Sequence, residues 1–453
     1  MASLAPSPFS LLLLTTAFIV TSISLALATS KQIPDDHRDQ LMKTGIKSTL
    51  NSIALHGRFT KFERLHHTTS RGSYNLQKSS ETTQTSTNPK LRSMVHPGNN
   101  EFLMNLSIGT PPISYYAVMD TGSDLTWIQC KPCEKCFPQP TPTYDPNNSS
   151  SFSMLQCSSN LCKALEGSCD DGCLIFYFYT FGGGSFIEGY LIEGSLGTET
   201  FTFNNVSVPN IGFGCMEGVV AGNALDQPIG VVGLGRGPLS LVSQLNETKF
   251  SYCLTSINGT KPSTLLLGSQ ASVNFSSGGV KTTPLIHNPV RPTFYYISLE
   301  GITVGSIKLA INETTFALNA NGTGGVIMDS GTSMTYLLES AFTLVKNEFI
   351  SQVKLPVLEA SNNTSPELCF KLPSNASSVE VPSLIFHFKD ADLDLPRDNY
   401  MIANSSTGVI CLAMGISSSD FSIFGNIQQQ NFLVVYDLGE ETLSFMPTEC
   451  DKF

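Results

Sequence analysis

Two segments of the chain repeat the same short pattern around an aspartate. Asp120 follows three apolar residues and precedes Thr-Gly-Ser, and Asp329 follows three apolar residues and precedes Ser-Gly-Thr. The apolar run predicts the end of a buried strand, the glycine permits a sharp turn, and the hydroxyl can hydrogen-bond to the carboxylate. One copy could arise by chance in a turn. Two copies in matching surroundings predict that Asp120 and Asp329 work as a pair.

Two carboxyl groups held close together have a defined chemistry. They cannot both ionise cheaply, so one pKa rises and the pair shares a proton. The ionised member can take a proton from a water molecule that attacks a carbonyl carbon, while the protonated member donates to the carbonyl oxygen. Asp120 and Asp329 are therefore predicted as a catalytic pair that is active in acid. This chemistry needs no metal, no cofactor and no covalent enzyme intermediate.

The elements that must position the pair are also duplicated. Residues 117–127 match residues 326–336 at nearly every position in size and polarity, and further along the chain residues 229–233 match residues 421–425. A chain of 453 residues also exceeds what one hydrophobic core usually fills. The simplest interpretation is two related lobes that meet face to face, each contributing one aspartate.

Residues beyond Gly98 alternate short runs of Val, Ile, Thr, Phe and Tyr with turns rich in Gly, Pro and Asn. This pattern predicts an all-β protein with a few short helices. The clearest helix is predicted over about residues 340–353, with Phe342, Val345 and Phe349 on one face and Ser340 as its N-cap.

The beginning of the chain predicts export. Residues 11–20 are apolar and residues 26–28 read Ala-Leu-Ala, which together indicate a signal peptide at residues 1–28. Later stretches are too short and too polar to span a membrane, so we expect no membrane anchor. We expect a secreted protein, with the vacuole as the alternative destination.

Residues 29–95 are predicted as a propeptide that ends in a cleavable Ser/Thr-rich linker at about residues 79–93. Residues 31–96 hold eleven Lys and Arg against five Asp and Glu, a net charge of +6. Residues 97–453 hold fifteen against thirty-two, a net charge of −17, which argues against nucleic acid as a partner. A basic leader before an acidic body predicts an intramolecular inhibitor held by electrostatic attraction, which acid would weaken. The alternative is a solvated arm without that role.

The twelve cysteines are concentrated in one region, since seven lie within residues 130–173. An even number of cysteines in an exported chain favours disulfide bonds. The cluster Cys130, Cys133 and Cys136 could instead bind a metal, but the export signal favours disulfides, and we predict no metal site.

Asn-x-Ser/Thr sequons agree with export, although a chain rich in Ser and Asn also produces them by chance. We expect some of them to be glycosylated. The candidates are Asn148, Asn205, Asn246, Asn258, Asn274, Asn312, Asn321, Asn363, Asn375 and Asn404.

The repeated motif resembles that of the pepsin-like aspartic proteases, and the chain is most similar to their plant nepenthesin group. The resemblance covers roughly residues 98–453. Its specific marks are residues 102–111 (Phe-Leu-Met-Asn-Leu-Ser-Ile-Gly-Thr-Pro), residues 120–125 (Asp-Thr-Gly-Ser-Asp-Leu), the cysteine-rich insert and residues 423–430 (Ile-Phe-Gly-Asn-Ile-Gln-Gln-Gln). It implies a bilobal pepsin-like fold with the active-site cleft between an N-terminal lobe, residues 96–283 with an insert at 130–173, and a C-terminal lobe, residues 284–453. It also implies protein or peptide substrates, and we expect a monomer.

The resemblance implies roles for the residues around the pair. Thr121 and Ser330 would brace the two loops against each other, Ser123 and Thr332 would hold the outer carboxylate oxygens, and Gly122 and Gly331 would form the turns. It further implies six disulfides: Cys130–Cys133, Cys136–Cys215, Cys157–Cys173, Cys162–Cys169, Cys253–Cys450 and Cys369–Cys411.

One region departs from the family pattern. The hairpin flap over the cleft reads Tyr-Gly-Asp-Gly-Ser in the nepenthesin group, and the best match here begins with Phe181, which lacks the phenolic hydroxyl. Trp127, the only tryptophan, fits as the partner of the flap residue. Residues 187–191 are followed by a similar stretch, 192–196, so a bulge or loop must absorb an odd insertion. We predict an altered substrate preference or a lower rate.

Two other functions compete with this interpretation. Some pepsin-fold plant proteins have lost catalysis and inhibit other secreted hydrolases, but these usually lack one intact Asp-Thr/Ser-Gly motif, and both are intact here. A serine hydrolase would need a nucleophile and a histidine in a recognisable setting. After Pro97 the chain contains only His287 and His387, and neither lies in such a setting.

Overall fold

The fold is described from a computed structural model. It describes residues 91–453 except 99, 134–135, 138, 140, 166–167, 171, 182–187, 222–229, 273–278, 359–365, 374–378 and 405–406. The chain divides into two compact units, residues 1–80 and 81–453, and all described residues belong to the second. The predicted signal peptide and most of the predicted propeptide lie outside the described residues. Among the described residues, no helix is both long and apolar enough to cross a membrane.

The described part is built mainly from β-strands, as predicted. In chain order these are β1 Arg92–Pro97, β2 Phe102–Ile108, β3 Ile113–Asp120, β4 Trp127–Gln129, β5 Ser153–Met154, β6 Ser168–Asp170, β7 Gly172–Phe181, β8 Glu188–Phe203, β9 Val206–Ala221, β10 Gly230–Gly233, β11 Lys249–Cys253, β12 Ser263–Leu267, β13 Lys281–Ile286, β14 Tyr295–Ile297, β15 Leu299–Val304, β16 Ile307–Lys308, β17 Val326–Met328, β18 Thr335–Leu337, β19 Val357–Leu358, β20 Cys369–Lys371, β21 Leu384–Phe388, β22 Ala391–Leu395, β23 Met401–Asn404, β24 Val409–Leu412, β25 Met414–Ile416, β26 Ser422–Phe424, β27 Phe432–Asp437 and β28 Thr442–Pro447.

Three α-helices occur in the described residues: α1 Asn160–Ala164, α2 Leu241–Gln244 and α3 Glu339–Gln352. Helix α3 corresponds to the predicted helix and buries Phe342, Val345 and Phe349, as its spacing indicated. Its N-cap is Leu338, which makes no side-chain capping bond, so the prediction of Ser340 as the cap was wrong.

Twenty strands form one large sheet, and two smaller four-stranded sheets flank it in the order β16-β15-β21-β22 and β19-β20-β24-β23. The large sheet joins the two halves of the chain, because β11 pairs antiparallel with β27 from Lys249↔Asp437 to Cys253↔Leu433. Both faces of these central strands are covered, so their residues form a nearly continuous buried run. This pairing gives the two halves a common core.

The sequence repeat corresponds to a structural repeat. In the first half, β3 pairs in parallel with β10, with Val118 opposite Val231. In the second half, β17 pairs in parallel with β26, with Ile327 opposite Ile423. Each aspartate therefore lies at the end of a buried strand that is supported from the side by the downstream copy, as the duplication predicted.

Strand β1 belongs to the folded sheet. It pairs with both β2 and β12, and Val95 is buried in the core. The backbone carbonyl of Leu91 also accepts a hydrogen bond from Leu267 N, at 3.0 Å. The predicted end of the propeptide, residue 95, falls inside β1, and the cleavage position stays a prediction.

The hairpin β7–β8 follows the region that departs from the family pattern. It pairs without interruption from Leu174↔Ser195 to Phe181↔Glu188. On its other side, β8 pairs with β9 with register shifts after Leu191 and after Glu193. The duplicated stretch is thus accommodated by bulges, which agrees with the expectation from strand periodicity.

The disulfides agree only partly with the implied pattern. The pairs Cys253–Cys450 and Cys369–Cys411 are present as expected. In the cysteine-rich insert the pairing differs, and the structure contains Cys130–Cys215, Cys133–Cys136 and Cys162–Cys173.

Strand pairing explains the differences. Cys130 directly follows β4, which runs parallel to β9 with Ile128 opposite Cys215, so Cys130 is held beside Cys215 and Cys136 is left to bond Cys133. The buried face of α1 brings Cys162 to the buried Cys173. The implied bonds Cys130–Cys133, Cys136–Cys215, Cys157–Cys173 and Cys162–Cys169 were therefore wrong, and Cys157 is not in a disulfide.

Seven of the candidate glycosylation sites fall on described residues. Six are exposed, namely Asn148, Asn205, Asn246, Asn258, Asn312 and Asn321, and Asn404 is partly exposed. Asn274, Asn363 and Asn375 lie outside the described residues.

Candidate active site

Asp120 is the last residue of β3, and Asp329 directly follows β17. Both carboxyl groups are nearly inaccessible, with 4% and 8% of the residue surface exposed. The structure therefore brings together the two residues that were predicted as the catalytic pair.

Each carboxylate is held by its own loop in the same way. Asp120 Oδ1 accepts a hydrogen bond from Gly122 N at 2.8 Å, and Asp120 Oδ2 accepts one from Ser123 Oγ at 2.5 Å. Asp329 repeats this arrangement with Gly331 N at 2.8 Å and Thr332 Oγ1 at 2.6 Å. These bonds leave little freedom of rotation about the Cβ–Cγ bonds.

The two glycines allow the loops to approach closely. A methyl group on Gly122 would lie 2.8 Å from the Asp329 carboxylate, and one on Gly331 would lie even closer to Asp120 Oδ1. Since real Cβ atoms avoid contacts below 3.0 Å, any larger residue at either position would displace the opposite carboxylate. Each glycine thus makes room for the aspartate of the other half.

The residues that follow the aspartates bind the two loops to each other. Thr121 N donates to Ser330 Oγ at 3.1 Å, and Ser330 N donates to Thr121 Oγ1 at 2.9 Å. Each hydroxyl also donates to the opposite strand, Thr121 Oγ1 to Met328 O at 3.2 Å and Ser330 Oγ to Met119 O at 2.7 Å. All four bonds are buried, and they fix the distance between the two loops.

The environment of the pair favours one shared proton. Burial and the neighbouring charge of Asp329 raise the pKa of Asp120 above its ordinary value, although Ser123 and Gly122 oppose the shift by donating to its carboxylate. Two carboxylates in this setting titrate as a unit, because ionising the second requires a second negative charge in a buried space.

Asp124 has a structural role that sequence analysis did not predict, beneath the first loop. Its carboxylate accepts bonds from Gly237 N at 2.8 Å and Thr293 Oγ1 at 2.7 Å. Residues 233–237 pack against it so closely that no side chain fits at Gly237. Asp124 thereby ties the first loop to the second half of the chain.

The two predicted flap residues, Trp127 and Phe181, lie on different strands. Trp127 is buried at the start of β4 and packs with Ile175, Ile192 and Met216, at the base of the β7–β8 hairpin. Phe181 ends β7 opposite Glu188. Its side chain and the tip of the hairpin, residues 182–187, lie outside what the structure describes, so a contact between Phe181 and Trp127 stays a prediction.

A hydroxyl–imidazole–carboxylate set lies away from the pair, around His387. Thr303 Oγ1 lies 2.7 Å from His387 Nε2, and His387 Nδ1 lies 2.7 Å from Asp392 Oδ1. The Asp392 side chain is 67% exposed. Because the carboxylate of a nucleophilic triad is buried, these contacts are interpreted as surface hydrogen bonds. In the described part of the chain no three His, Cys, Asp or Glu side chains form a group that could hold a metal ion.

Comparison with known proteins gives the family. The family described as "Xylanase inhibitor N-terminal" matches residues 102–269, and "Xylanase inhibitor C-terminal" matches residues 294–447. The chain is 49% identical to aspartic proteinase nepenthesin-1 of Nepenthes gracilis, over 92% of each chain. It is 42% identical to nepenthesin-2 of the same organism, over 98% of this chain and 99% of that one.

Solved structures agree on the fold. Conglutin gamma, a basic 7S globulin from lupine seeds, has a TM-score of 0.60 at 20% identity, covering 79% of this chain and 94% of that one. Basic 7S globulin from soybean has a TM-score of 0.58 at 18% identity, covering 81% and 100%. These likenesses show the pepsin-like fold alone, whereas the sequence relatives identify the family. The chain belongs to the nepenthesin-type plant aspartic proteases and is an aspartic-type endopeptidase.

Proposed function

We propose that this protein is a secreted, acid-active endopeptidase, made as a zymogen, that uses Asp120 and Asp329 to activate a water molecule. The observation that carries the proposal is the reciprocal approach of the two loops. The glycine of each loop leaves room for the carboxylate of the other, and the two carboxylates are held by matching hydrogen bonds. This arrangement supports two carboxyl groups acting on one water molecule.

The proposed reaction follows from the shared proton. The ionised carboxylate takes a proton from the water, whose oxygen attacks the carbonyl carbon of the peptide bond. The protonated carboxyl donates to the carbonyl oxygen, which gives a tetrahedral intermediate. The carboxyl that took the proton from water then passes it to the amide nitrogen, while the other carboxylate takes a proton back from a hydroxyl of the intermediate. The C–N bond breaks, and the products are a carboxylic acid, an amine and the pair with its single proton. Thr121 and Ser330 hold the spacing during these steps, and Ser123 and Thr332 hold the outer oxygens.

The pH dependence has a direct cause. Burial and the charge of Asp329 raise the pKa of Asp120, so the pair keeps its single proton in acid. When the pH rises through the upper pKa of the pair, both groups ionise and the proton donor is lost. When the pH falls below the lower pKa, both are protonated and the base is lost. We therefore expect a bell-shaped activity profile with its maximum in acid.

We propose the β7–β8 hairpin as the flap over the cleft, with Phe181 near its tip and Trp127 at its base. The buried cluster around Trp127 supports this by giving the hairpin a fixed root. We also propose residues 1–28 as a signal peptide and the following basic segment as a propeptide that inhibits the acidic body. The pairing of β1 supports a body that begins at or before Leu91. The boundary between the two lobes is proposed near residue 284 from the sequence alone.

The second candidate function is a binding protein that inhibits other secreted hydrolases. The family descriptions favour it, since both name xylanase inhibitors. The intact, matching hydrogen bonds around both carboxylates favour catalysis instead. The two functions are separable, because an inhibitor would slow a xylanase without cutting peptide bonds.

The test is to refold the full chain, acidify it to about pH 3, where carboxyl groups titrate, and follow self-cleavage and haemoglobin digestion. We expect both activities in the wild type, neither in Asp120→Asn or Asp329→Asn, and full activity in Asp392→Asn, whose carboxylate is exposed. Digestion that survives Asp120→Asn contradicts the mechanism. A wild type that does not digest haemoglobin but inhibits a xylanase supports the second candidate.

A further inference from the structure

A chain of buried polar side chains lies beneath the second aspartate loop. Its members are Gln429, Tyr252 and Tyr436, each with at most 1% of its surface exposed. Burying an amide and two phenols is unfavourable unless each polar atom is hydrogen-bonded. The partners of these three side chains therefore indicate what they are for.

Gln429 binds the backbone of the catalytic residue directly. Its Nε2 donates to Asp329 O at 3.2 Å and to Phe424 O at 2.9 Å. Phe424 O also accepts from Asp329 N at 3.1 Å. Both amide hydrogens of Gln429 are thus used on the turn that leads from β17 into the active site.

The amide oxygen of Gln429 is held in turn by a residue from the first half of the chain. Tyr252 OH, on β11, donates to Gln429 Oε1 at 2.5 Å and lies 2.9 Å from Tyr436 OH, on β27. Because the single proton of Tyr252 points to an acceptor, Tyr436 must donate to Tyr252. Tyr252 and Tyr436 lie on β11 and β27, the strand pair that joins the two halves, so these hydrogen bonds connect the Asp329 carbonyl to the first half of the molecule.

Electrostatics agree with this proximity. Burial raises the pKa of Tyr252 and of Tyr436 above the ordinary value, and the charge of Asp329 raises both further. The phenols therefore stay protonated throughout the pH range of the enzyme and can act only as hydrogen-bonding groups.

Packing alone does not account for the hydroxyl groups. The ring of Tyr436 stacks on Phe250 with a centroid distance of 4.3 Å and meets Tyr295 edge-on at 4.6 Å. Phenylalanine at position 436 would keep both ring contacts. A buried hydroxyl without a hydrogen-bond partner costs free energy. The two hydroxyl groups are therefore explained by the hydrogen bonds that link Tyr436, Tyr252 and Gln429.

We propose that Gln429, held by Tyr252 and Tyr436, is a positioning residue that fixes the backbone of Asp329 relative to the first half of the molecule, which carries Asp120. The inference rests on the proposed function, since it gives the two carboxylates their relative orientation. Without the hydroxyl of Tyr252 or Tyr436, the side-chain amide of Gln429 can rotate, and its hydrogen bond to the Asp329 carbonyl is lost. The substrate-binding surface is untouched, so the effect falls on kcat and not on KM.

The test compares Tyr252→Phe and Tyr436→Phe with Tyr400→Phe. Tyr400 is also buried and donates a hydrogen bond to Pro382 O at 2.9 Å, and Pro382 belongs to neither aspartate loop. Since a small misplacement of a catalytic group lowers the rate strongly, we expect a fall of about tenfold in kcat for the first two variants with KM within about twofold. Tyr400→Phe should lose a similar amount of thermal stability and keep wild-type kcat.

A double variant checks that the residues form one unit. Gln429→Met removes the amide with little change in volume, and combining it with Tyr252→Phe should lower kcat no further than Gln429→Met alone. Wild-type kcat in both tyrosine variants, or an equal loss in Tyr400→Phe, overturns the inference. The proposed function fails separately, if digestion survives Asp120→Asn or Asp329→Asn.

Discussion

The first four residues of the two aspartate loops have the same structure, but the residues that support the two loops differ. Around the carboxylates each bond in one loop has its counterpart in the other, and the bonds of Thr121 and Ser330 are reciprocal. Four residues after each aspartate the match is interrupted, because Asp124 in the first copy corresponds to Ser333 in the second. Asp124 accepts two partly buried hydrogen bonds, one on each carboxylate oxygen, and the single hydroxyl of a serine has no second oxygen for this.

The supports of the two backbones also differ. The carbonyl of Asp120 accepts a backbone bond from Leu234 N at 2.8 Å, whereas the carbonyl of Asp329 accepts from the Gln429 side chain. The two copies have the same hydrogen bonds to their carboxylates. The groups that bind the backbone carbonyls of the two aspartates differ. The second loop depends more on side-chain amides, and this makes it the more sensitive of the two to substitution.

The strongest test of the arrangement that the two loops share is to replace the glycine of each loop with alanine. Gly122→Ala and Gly331→Ala should each lower kcat/KM by about 100-fold or more, because the added methyl displaces the opposite carboxylate. Gly331→Ala should be the worse of the two, since its methyl lies closer to Asp120. Gly439→Ala is the matched control, as its new methyl would meet only ordinary contacts. A large loss in only one of the two loops would refute the reciprocity.

The difference in support is tested by a matched pair of threonines. Thr335 Oγ1 donates to Gln428 Oε1 at 2.7 Å and accepts from Gly425 N at 3.1 Å. The corresponding Thr126 Oγ1 is equally buried and has no hydrogen-bond partner among the described residues. Thr335→Val should lower the free energy of unfolding by about 2–3 kcal/mol, and Thr126→Val by about 0–1 kcal/mol. Urea unfolding of both variants measures this, and equal losses would show that the two supports are alike.

The smallest expected effect concerns pH and the shared proton. Since burial and Asp329 raise the folded-state pKa of Asp120, the folded protein binds this proton more tightly than the unfolded chain. Stability should therefore fall as the pH rises from the ordinary carboxyl pKa through the raised one. In Asp120→Asn this contribution is absent, so its melting temperature should fall by a few degrees less between acid and neutral pH. An equal change in melting temperature between acid and neutral pH in the two proteins would contradict the raised pKa of Asp120.

The sequence was sufficient for the part of the site that is encoded locally. The strand before each aspartate, the turn glycine and the hydroxyl lie within a few residues, so the repeat predicted the pair and two related halves. The all-β class followed from the short β-forming runs between turns, which are also local. The same locality explains why helix α3 was predicted within one residue at each end.

What the sequence did not predict depends on residues far apart in the chain. The pairing of Cys130 with Cys215 depends on the register of β4 against β9, which no spacing of cysteines contains. Residues 428–430 were quoted as a family mark without individual roles. Gln429 acquires its role only when β11 pairs with β27 and brings Tyr252 to it.

The disulfide Cys253–Cys450 spans 197 residues and encloses almost the whole second half of the chain in a covalent ring. A peptidase at high concentration is exposed to its own activity. Any single cut between these two cysteines leaves the fragments joined, and β11 stays bonded to the element that it pairs with. Such a nicked molecule would migrate as one species until it is reduced, and its two aspartates would still belong to one molecule.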